Sequence, residues 1–109
     1  MKKAVFLVIF FLVLSAAFAQ VSPEDQWIIG TWVDNDGDIW TFRNDGTVTL
    51  SWDSTRYHYS INNFLGIITF IYQYRSNSYE YDIEDFFKIN NTQMGITWGG
   101  DFYFLNKRN

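Results

Sequence analysis

From Gly30 onward, the chain alternates between short runs of strand-forming residues and turn residues, and this pattern constrains the fold most. Apolar and polar side chains take turns in Tyr79–Glu84 and again in Met94–Trp98, which is the period of a half-buried strand. Asn, Asp and Gly separate such runs. The pattern predicts eight strands, at about 28–34, 38–43, 47–52, 55–61, 65–74, 78–89, 93–98 and 101–106. Because Glu84-Asp85 interrupts the sixth, it is either one bulged strand or two.

The short connections favour antiparallel pairing in sequence order. Strands that are apolar on one face must cover that face, and eight of them can close on themselves. We therefore predict an all-β, eight-stranded antiparallel up-and-down barrel, with an open sandwich of two four-stranded sheets as the alternative. Ser22-Pro23-Glu24-Asp25 has the residues of a helix start and predicts a short helical turn before the first strand.

The N-terminus has the pattern of a secretory signal peptide. Lys2 and Lys3 precede the apolar run Ala4–Leu14, and Ala17-Phe18-Ala19 follows. A retained membrane anchor is the alternative, but the 16 residues from Ala4 to Ala19 are short for a hydrocarbon core of about 30 Å. We predict cleavage after residue 19, a single domain over residues 20–109, and a secreted or periplasmic protein without stable membrane insertion.

Composition excludes several classes of protein. The chain has no cysteine, so it has neither disulfides nor thiolate metal ligands. Without Lys2 and Lys3 it carries six basic and twelve acidic side chains, a net charge of −6, which argues against binding to nucleic acid. The 90 residues after the leader contain 19 aromatic rings, which is incompatible with disorder.

Three segments resemble lipocalins. Gly30-Thr31-Trp32 resembles their Gly-x-Trp signature, while Trp40–Val48 and Tyr57–Asn62 resemble the second hairpin and fourth strand of small bacterial lipocalin-like domains. The resemblance covers most of residues 22–108, although the chain is shorter than typical lipocalins and lacks their C-terminal helix and Thr-Asp-Tyr motif. It therefore supports the architecture more than any particular ligand.

The resemblance also implies a barrel floor. In lipocalins the first-strand tryptophan lies beneath a basic residue from the last strand. Here the floor would consist of Gly30, Trp32 and a cation supplied by Lys107 or Arg108, and we assign Arg108. Such a cation would stack on the tryptophan ring.

Candidate catalytic and metal-binding groups are few, and we predict no enzyme activity, cofactor or metal. His58 is the only histidine and has no nucleophile or acid at a catalytic spacing. Glu80, Asp82 and Glu84 share one strand face, which we interpret as a solvated outer wall. Asp34–Asp38 has glycine at its fourth position, whereas a calcium-binding EF-hand loop needs it at the sixth. This segment predicts a hairpin turn with positive φ at Gly37.

Binding is the function that the sequence favours. An eight-stranded barrel is either filled by its own side chains or holds one small ligand. We predict a non-catalytic binder of a small apolar or aromatic ligand inside the barrel. The residues expected to line this site are Trp40, Phe42, Trp52, Tyr57, Tyr59 and Trp98, and further candidates for the interior are Tyr79, Tyr81 and Met94.

The alternative function is a filled barrel that acts as a protein-interaction or inhibitor module in the cell envelope. Its contact surface would be a set of exposed rings, for which we expect Phe70 and Tyr72 or Tyr74. A cavity above about 300 Å³ would favour the ligand binder. A solid interior together with an apolar patch of several hundred Å² on the outside would favour the interaction module.

Overall fold

A computed structural model describes residues 21–76 and 78–108, with Tyr74 described in its backbone only. The predicted signal peptide lies outside the described residues. A 3₁₀ helix comes first, and each of eight strands then pairs antiparallel with the next, while the last strand pairs with the first to close a barrel. The bounds are Pro23–Ile28 for the helix and β1 Gly30–Asp34, β2 Ile39–Phe42, β3 Thr47–Leu50, β4 Asp53–Asn62, β5 Ile67–Arg75, β6 Ser78–Asn90, β7 Gln93–Trp98 and β8 Asp101–Lys107.

This topology confirms the predicted up-and-down barrel with its N-terminal helical turn, and the open sandwich is wrong. The long sixth segment is one strand, β6. Its pairs with β5 end at Ile67↔Asp85 and its pairs with β7 begin at Phe86↔Ile96. The Glu84-Asp85 interruption therefore marks the point where β6 exchanges one neighbour for the other. Since the residues before this point pair only with β5, the β5–β6 hairpin projects beyond the end of β7.

The barrel interior is a packed core. Ten side chains lie under 2% exposed, namely Ile28, Trp32, Trp40, Phe42, Val48, Ile68, Phe70, Met94, Ile96 and Leu105. A side chain that lined a water-sized cavity would keep exposed surface, so no such space borders these residues. The core is built from alternate strand positions, as expected for strands that are apolar on one face.

The 3₁₀ helix closes one end of the barrel, beside the turn between β2 and β3 and the turn between β4 and β5. The Val21 N–H donates to the carbonyl of Asn44 at 3.2 Å, and the Asn63 side-chain amide donates to Asp25 at 2.7 Å. The turn between β6 and β7 lies at this same end, and we call the opposite end, formed by the turns β1–β2, β3–β4, β5–β6 and β7–β8, the mouth. In the described part of the chain, no helix is long and apolar enough to cross a membrane.

Candidate functional site

The closed end has the floor that the resemblance implied, but with a different cation. Trp32 is completely buried, and its Nε1–H donates to the carbonyl of Ile28 at 2.7 Å. Lys107 Nζ lies 5.5 Å from the centroid of the Trp32 ring and donates to the carbonyl of Trp27 at 2.6 Å. Arg108 was the wrong assignment, because it follows the end of β8 and its side chain is exposed, while its backbone N–H donates to Thr31.

Lys107 and Arg108 should therefore differ in their effect on stability. Lys107→Met removes a charge-assisted hydrogen bond and the cation on Trp32, and we expect it to lower the free energy of unfolding by about 1–3 kcal/mol. Arg108→Ala should change it by less than about 0.5 kcal/mol. Urea denaturation of both variants measures the difference. Equal effects would contradict the assignment of Lys107 to the floor.

The mouth contains a cluster of aromatic rings centred on Trp98. The Trp98 centroid lies 4.9 Å from that of Phe70 and 5.5 Å from that of Tyr57, both in edge-to-face geometry. Such arrangements are the favoured ones for aromatic pairs. We call this set the mouth cluster, and its members are Trp40, Trp52, Tyr57, Phe70, Tyr72, Trp98 and Tyr103.

The predicted ligand-lining residues mostly form core. Trp40, Phe42, Tyr57 and Tyr59 are at most 6% exposed, and Trp98 is half-buried. Of the six, only Trp52 presents a large part of its ring, being 42% exposed. Met94 is completely buried, as expected for an interior residue. The rings therefore fill the barrel up to its mouth, where one tryptophan remains accessible.

The two buried tyrosines are anchored by their hydroxyl groups. Tyr57 donates to the carboxylate of Asp53, and this bond holds the Asp53 pKa below its usual range. Tyr59 donates to the carbonyl of Arg43 at 2.9 Å. Both tyrosine pKa values are raised, mainly by burial. Because each hydroxyl already has a partner within the chain, these groups contribute to packing rather than to an empty polar pocket.

The orientation of β6 corrects two predictions. Tyr79 and Tyr81 are 58% and 65% exposed on the outside, so neither lines the interior. Instead the acidic residues share the face of Phe86, which packs against Trp27 at the closed end. Since side chains alternate strictly along a strand, a buried Phe86 also turns Glu84 and the acids before it toward the axis. The face we interpreted as a solvated outer wall is therefore the inner one.

Glu84 is the acid that this orientation buries. It is 9% exposed, and its carboxylate accepts hydrogen bonds from Thr97 Oγ1 at 2.8 Å and from the Gly99 N–H at 3.3 Å. Burial, together with the nearby Asp82, raises the Glu84 pKa above its ordinary value. Toward the tip of the β5–β6 hairpin, Asp82 is half-buried and Glu80 is exposed, because this part of the hairpin projects beyond β7 and keeps both side chains hydrated.

The raised Glu84 pKa predicts that the stability of the fold depends on pH. The folded state holds this proton more tightly than the unfolded state, so the contribution of Glu84 to stability falls as the pH rises from about 4.5 through the folded-state pKa. In the Glu84→Gln variant the side chain at this position does not titrate in that pH range. We expect the stability of this variant relative to wild type to increase between pH 4 and pH 7, as measured by urea denaturation. Parallel pH profiles would contradict the prediction.

The Asp34–Asp38 loop is a hairpin turn organised by its first residue. Gly37 has a φ of 85°, as predicted for this turn. Asp34 Oδ1 accepts the N–H groups of Asp36 and Asp38, while its Oδ2 accepts the Nε1–H of Trp40 at 2.9 Å. Both Asp34 oxygens are thus used within the chain. Across the described ranges, no three His, Asp or Glu side chains are arranged to hold a metal ion.

Seven of the ten exposed large apolar side chains in the described residues lie on the outside of β6 and β8. We call this surface the outer face, and it consists of Tyr79, Tyr81, Ile83, Phe87, Ile89, Phe102 and Phe104, which are 44–65% exposed. The residues expected to form a contact surface are elsewhere. Phe70 is completely buried in the core, Tyr72 is half-buried against it, and the side chain of Tyr74 is outside the described set.

A glycine on β7 allows the rings of the outer face to pack. A Cβ built on Gly95 would lie 2.6 Å from ring atoms of both Phe87 and Phe102. These two rings are stacked at 5.6 Å, and Phe102 meets Phe104 edge to face at 5.1 Å. The rings therefore cover the position where any larger residue would place its side chain, and together they form a continuous apolar surface across three strands.

Sequence reasoning missed the outer face, although one signal for it was present. Phe102 and Phe104 alternate with Tyr103 and Leu105, so one of the two apolar sets on β8 had to face outward.

Our searches found no family model, no curated protein and no solved structure that matches this chain.

Proposed function

We propose that this chain is a non-catalytic protein-interaction module, in which a filled barrel presents the outer face to a partner. The observation that carries the proposal is the exposure of five rings and two isoleucines on one side of the barrel. Monomeric proteins rarely leave contiguous apolar patches of more than a few hundred Å² exposed, and larger patches mark interaction sites. The packed interior supports the same function, since a solid core makes the outer strands a rigid platform.

The rest of the proposal follows from the sequence. We infer that the chain is exported through the predicted signal peptide and acts outside the cytoplasm, because its N-terminus has the pattern of such a peptide. The net charge of −6 after cleavage disfavours nucleic acid as the partner. Aromatic residues are enriched at the energetically dominant positions of interfaces. Phe87, Phe102 and Phe104 are therefore the residues expected to contribute most to binding.

Site-specific photo-crosslinking tests the proposal. Phe104 is replaced with p-benzoylphenylalanine, and the protein is irradiated in the cells that produce it. Ser60, which is exposed on the polar outer surface of β4, is the matched control position. We expect crosslinked products from position 104 that are absent from position 60, with their composition determined by mass spectrometry. Equal crosslinking at both positions, or none at either, would refute the interaction function.

A small ligand at the mouth is the second candidate function, and the accessible ring of Trp52 favours it. Trp52 lies 5.2 Å from Trp40 and 6.2 Å from Trp98 between ring centroids. Stacking on this ring would bind an aromatic ligand, and the carboxylates on the inner face of β6 would favour a cationic one. The ligand would therefore bind at the mouth, above the packed core.

Tryptophan fluorescence tests this candidate. We expect benzyltrimethylammonium to change the emission in a saturable way, and neutral benzyl alcohol to bind more weakly. Trp52→Ala should abolish the response while the fold, followed by far-UV circular dichroism, persists. A linear response, or an unchanged one in Trp52→Ala, would contradict ligand binding at the mouth.

A further inference from the structure

We propose that the outer face is the contact surface of a homodimer, in which a second copy of this chain covers it. The inference rests on the proposed function, because it names the partner that meets this face. Three observations carry the inference: the area of the outer face, the order of residues along β6, and the difference in charge between the two ends of the barrel.

The outer face supplies more than half of the area that one protomer contributes to a stable dimer. Its five rings are 44–65% exposed. A buried ring accounts for about 150–250 Å², so these rings present on the order of 500 Å², and Ile83 and Ile89 extend the surface further. A specific interface buries about 800 Å² on each partner. A second copy with the same face is therefore large enough to cover the patch, and has the same need to be covered.

The outward residues of β6 are self-complementary around the middle of the strand. A two-fold axis that crosses the strand near Glu84, in the plane of contact, brings two copies of β6 together antiparallel and makes an isologous interface. Tyr79 then meets Ile89, Tyr81 meets Phe87, and Ile83 meets Asp85 of the partner. Phe102 and Phe104 of β8 lie beside Phe87 and widen the contact. Two sheets can pack face to face in this way at about 10 Å.

Charge favours the same antiparallel arrangement. The mouth end holds eight of the chain's twelve acidic residues, at positions 34, 36, 38, 53, 80, 82, 84 and 101. One arginine, Arg75, accompanies them at the end of β5. The closed end holds four basic residues, at positions 43, 88, 107 and 108, and three acidic ones, at positions 24, 25 and 45, so its net charge is +1. In an antiparallel dimer the acidic mouth of each protomer lies beside the nearly neutral closed end of the other, whereas a parallel arrangement would place the two acidic mouths together.

Asp85 is the one charged side chain among the outward positions of β6, and it is exposed. In the dimer it faces Ile83 of the partner and loses water without gaining a cation, which is unfavourable. The arrangement therefore predicts that Asp85→Asn tightens the dimer. A partner that supplied a cation to Asp85 would predict the opposite sign.

Analytical ultracentrifugation over a range of micromolar concentrations tests the homodimer. We expect a reversible monomer–dimer equilibrium in wild type. Tyr81→Arg places a cation in the contact and should weaken the dimer at least ten-fold, and Asp85→Asn should tighten it about three-fold. Ser60→Arg adds the same charge on β4, outside the outer face, and should leave the equilibrium unchanged.

A second variant keeps the test independent of folding defects. Gly95→Ala carries no charge, but its methyl group displaces the rings of Phe87 and Phe102 at their flexible ends. We expect it to weaken the dimer while the melting temperature changes little. Near-UV circular dichroism checks that each variant is folded.

The outcomes separate the homodimer from the function on which it rests. A monomer at all concentrations, or a dimer that Tyr81→Arg and Ser60→Arg affect equally, would overturn the homodimer. If the monomer still crosslinks from position 104 to a different protein, the interaction function stands and only its partner is wrong. If the protein is a dimer sensitive to Tyr81→Arg, the second copy is the occupant of the face.

Discussion

Trp40→Ala is expected to lower the melting temperature of the domain by more than about 12 °C. Trp40 is completely buried and its ring meets five others in Phe42, Trp52, Phe70, Trp98 and Tyr103. Truncating a buried tryptophan costs about 3–5 kcal/mol, while a domain of this size has about 5–13 kcal/mol in total. The loss also leaves Asp34 Oδ2 without its Trp40 donor. Thermal unfolding followed by far-UV circular dichroism measures the effect.

Two controls identify the cause. Trp40→Phe keeps a ring in the core but loses the indole N–H, so we expect an intermediate loss of about 1–3 kcal/mol. Trp52→Ala removes a ring that is 42% exposed and should cost less than either change at position 40. If Trp40→Ala melted within a few degrees of wild type, the interior would not be the packed core described above.

Asp34→Ala is expected to lower the free energy of unfolding by about 3 kcal/mol. This carboxylate is 6% exposed and accepts two backbone N–H groups of its own turn as well as the indole N–H of Trp40. Alanine leaves the buried indole donor without a partner, and an unsatisfied buried donor costs about 1–3 kcal/mol in addition to the lost turn bonds. Urea denaturation gives the difference directly.

Neighbouring acids provide the control for Asp34. Asp36 lies in the same turn and is exposed, so Asp36→Ala should change stability by less than about 0.5 kcal/mol. Asp34→Asn retains one acceptor for the turn but brings an amide donor toward the Trp40 N–H, and we expect about half of the alanine effect. A result for Asp34→Ala no larger than that for Asp36→Ala would refute the role of this carboxylate.

The sequence predicted the barrel because its local signals agree with one another. The turn at Gly37 and the inward positions of Tyr57, Tyr59 and Met94 all follow from period-two patterns bounded by turn residues. These strands have one apolar and one polar face, so their orientation is set by the chain itself. Antiparallel order then follows from the short connections.

The sequence could not orient strands in which either face could be the one buried in the core. Residues 66–72 are apolar on both sides, so only packing determines that Phe70 belongs to the core cluster while Ile71, which is 8% exposed and pairs with Tyr81, does not. In β6, Tyr79 and Tyr81 look more like core than the acids between them, but the alternation that places Phe86 inside forces them outward. The predicted orientations of Tyr79, Tyr81 and the acids of β6 were wrong for this reason, because a period of two identifies two faces and does not say which one faces the core.

The projecting β5–β6 hairpin gives the acidic residues of β6 a protective role. In the described part of the chain, residues 78–84 pair with β5 alone, which leaves their other edge open above the end of β7. An open, flat edge invites another strand to add to it, and this is a route to aggregation. Glu80, Asp82 and Glu84 would bring like charges together if two such edges paired. The same acids that appeared to be a solvated wall thus favour association through the faces of the strands over uncontrolled growth through their edges.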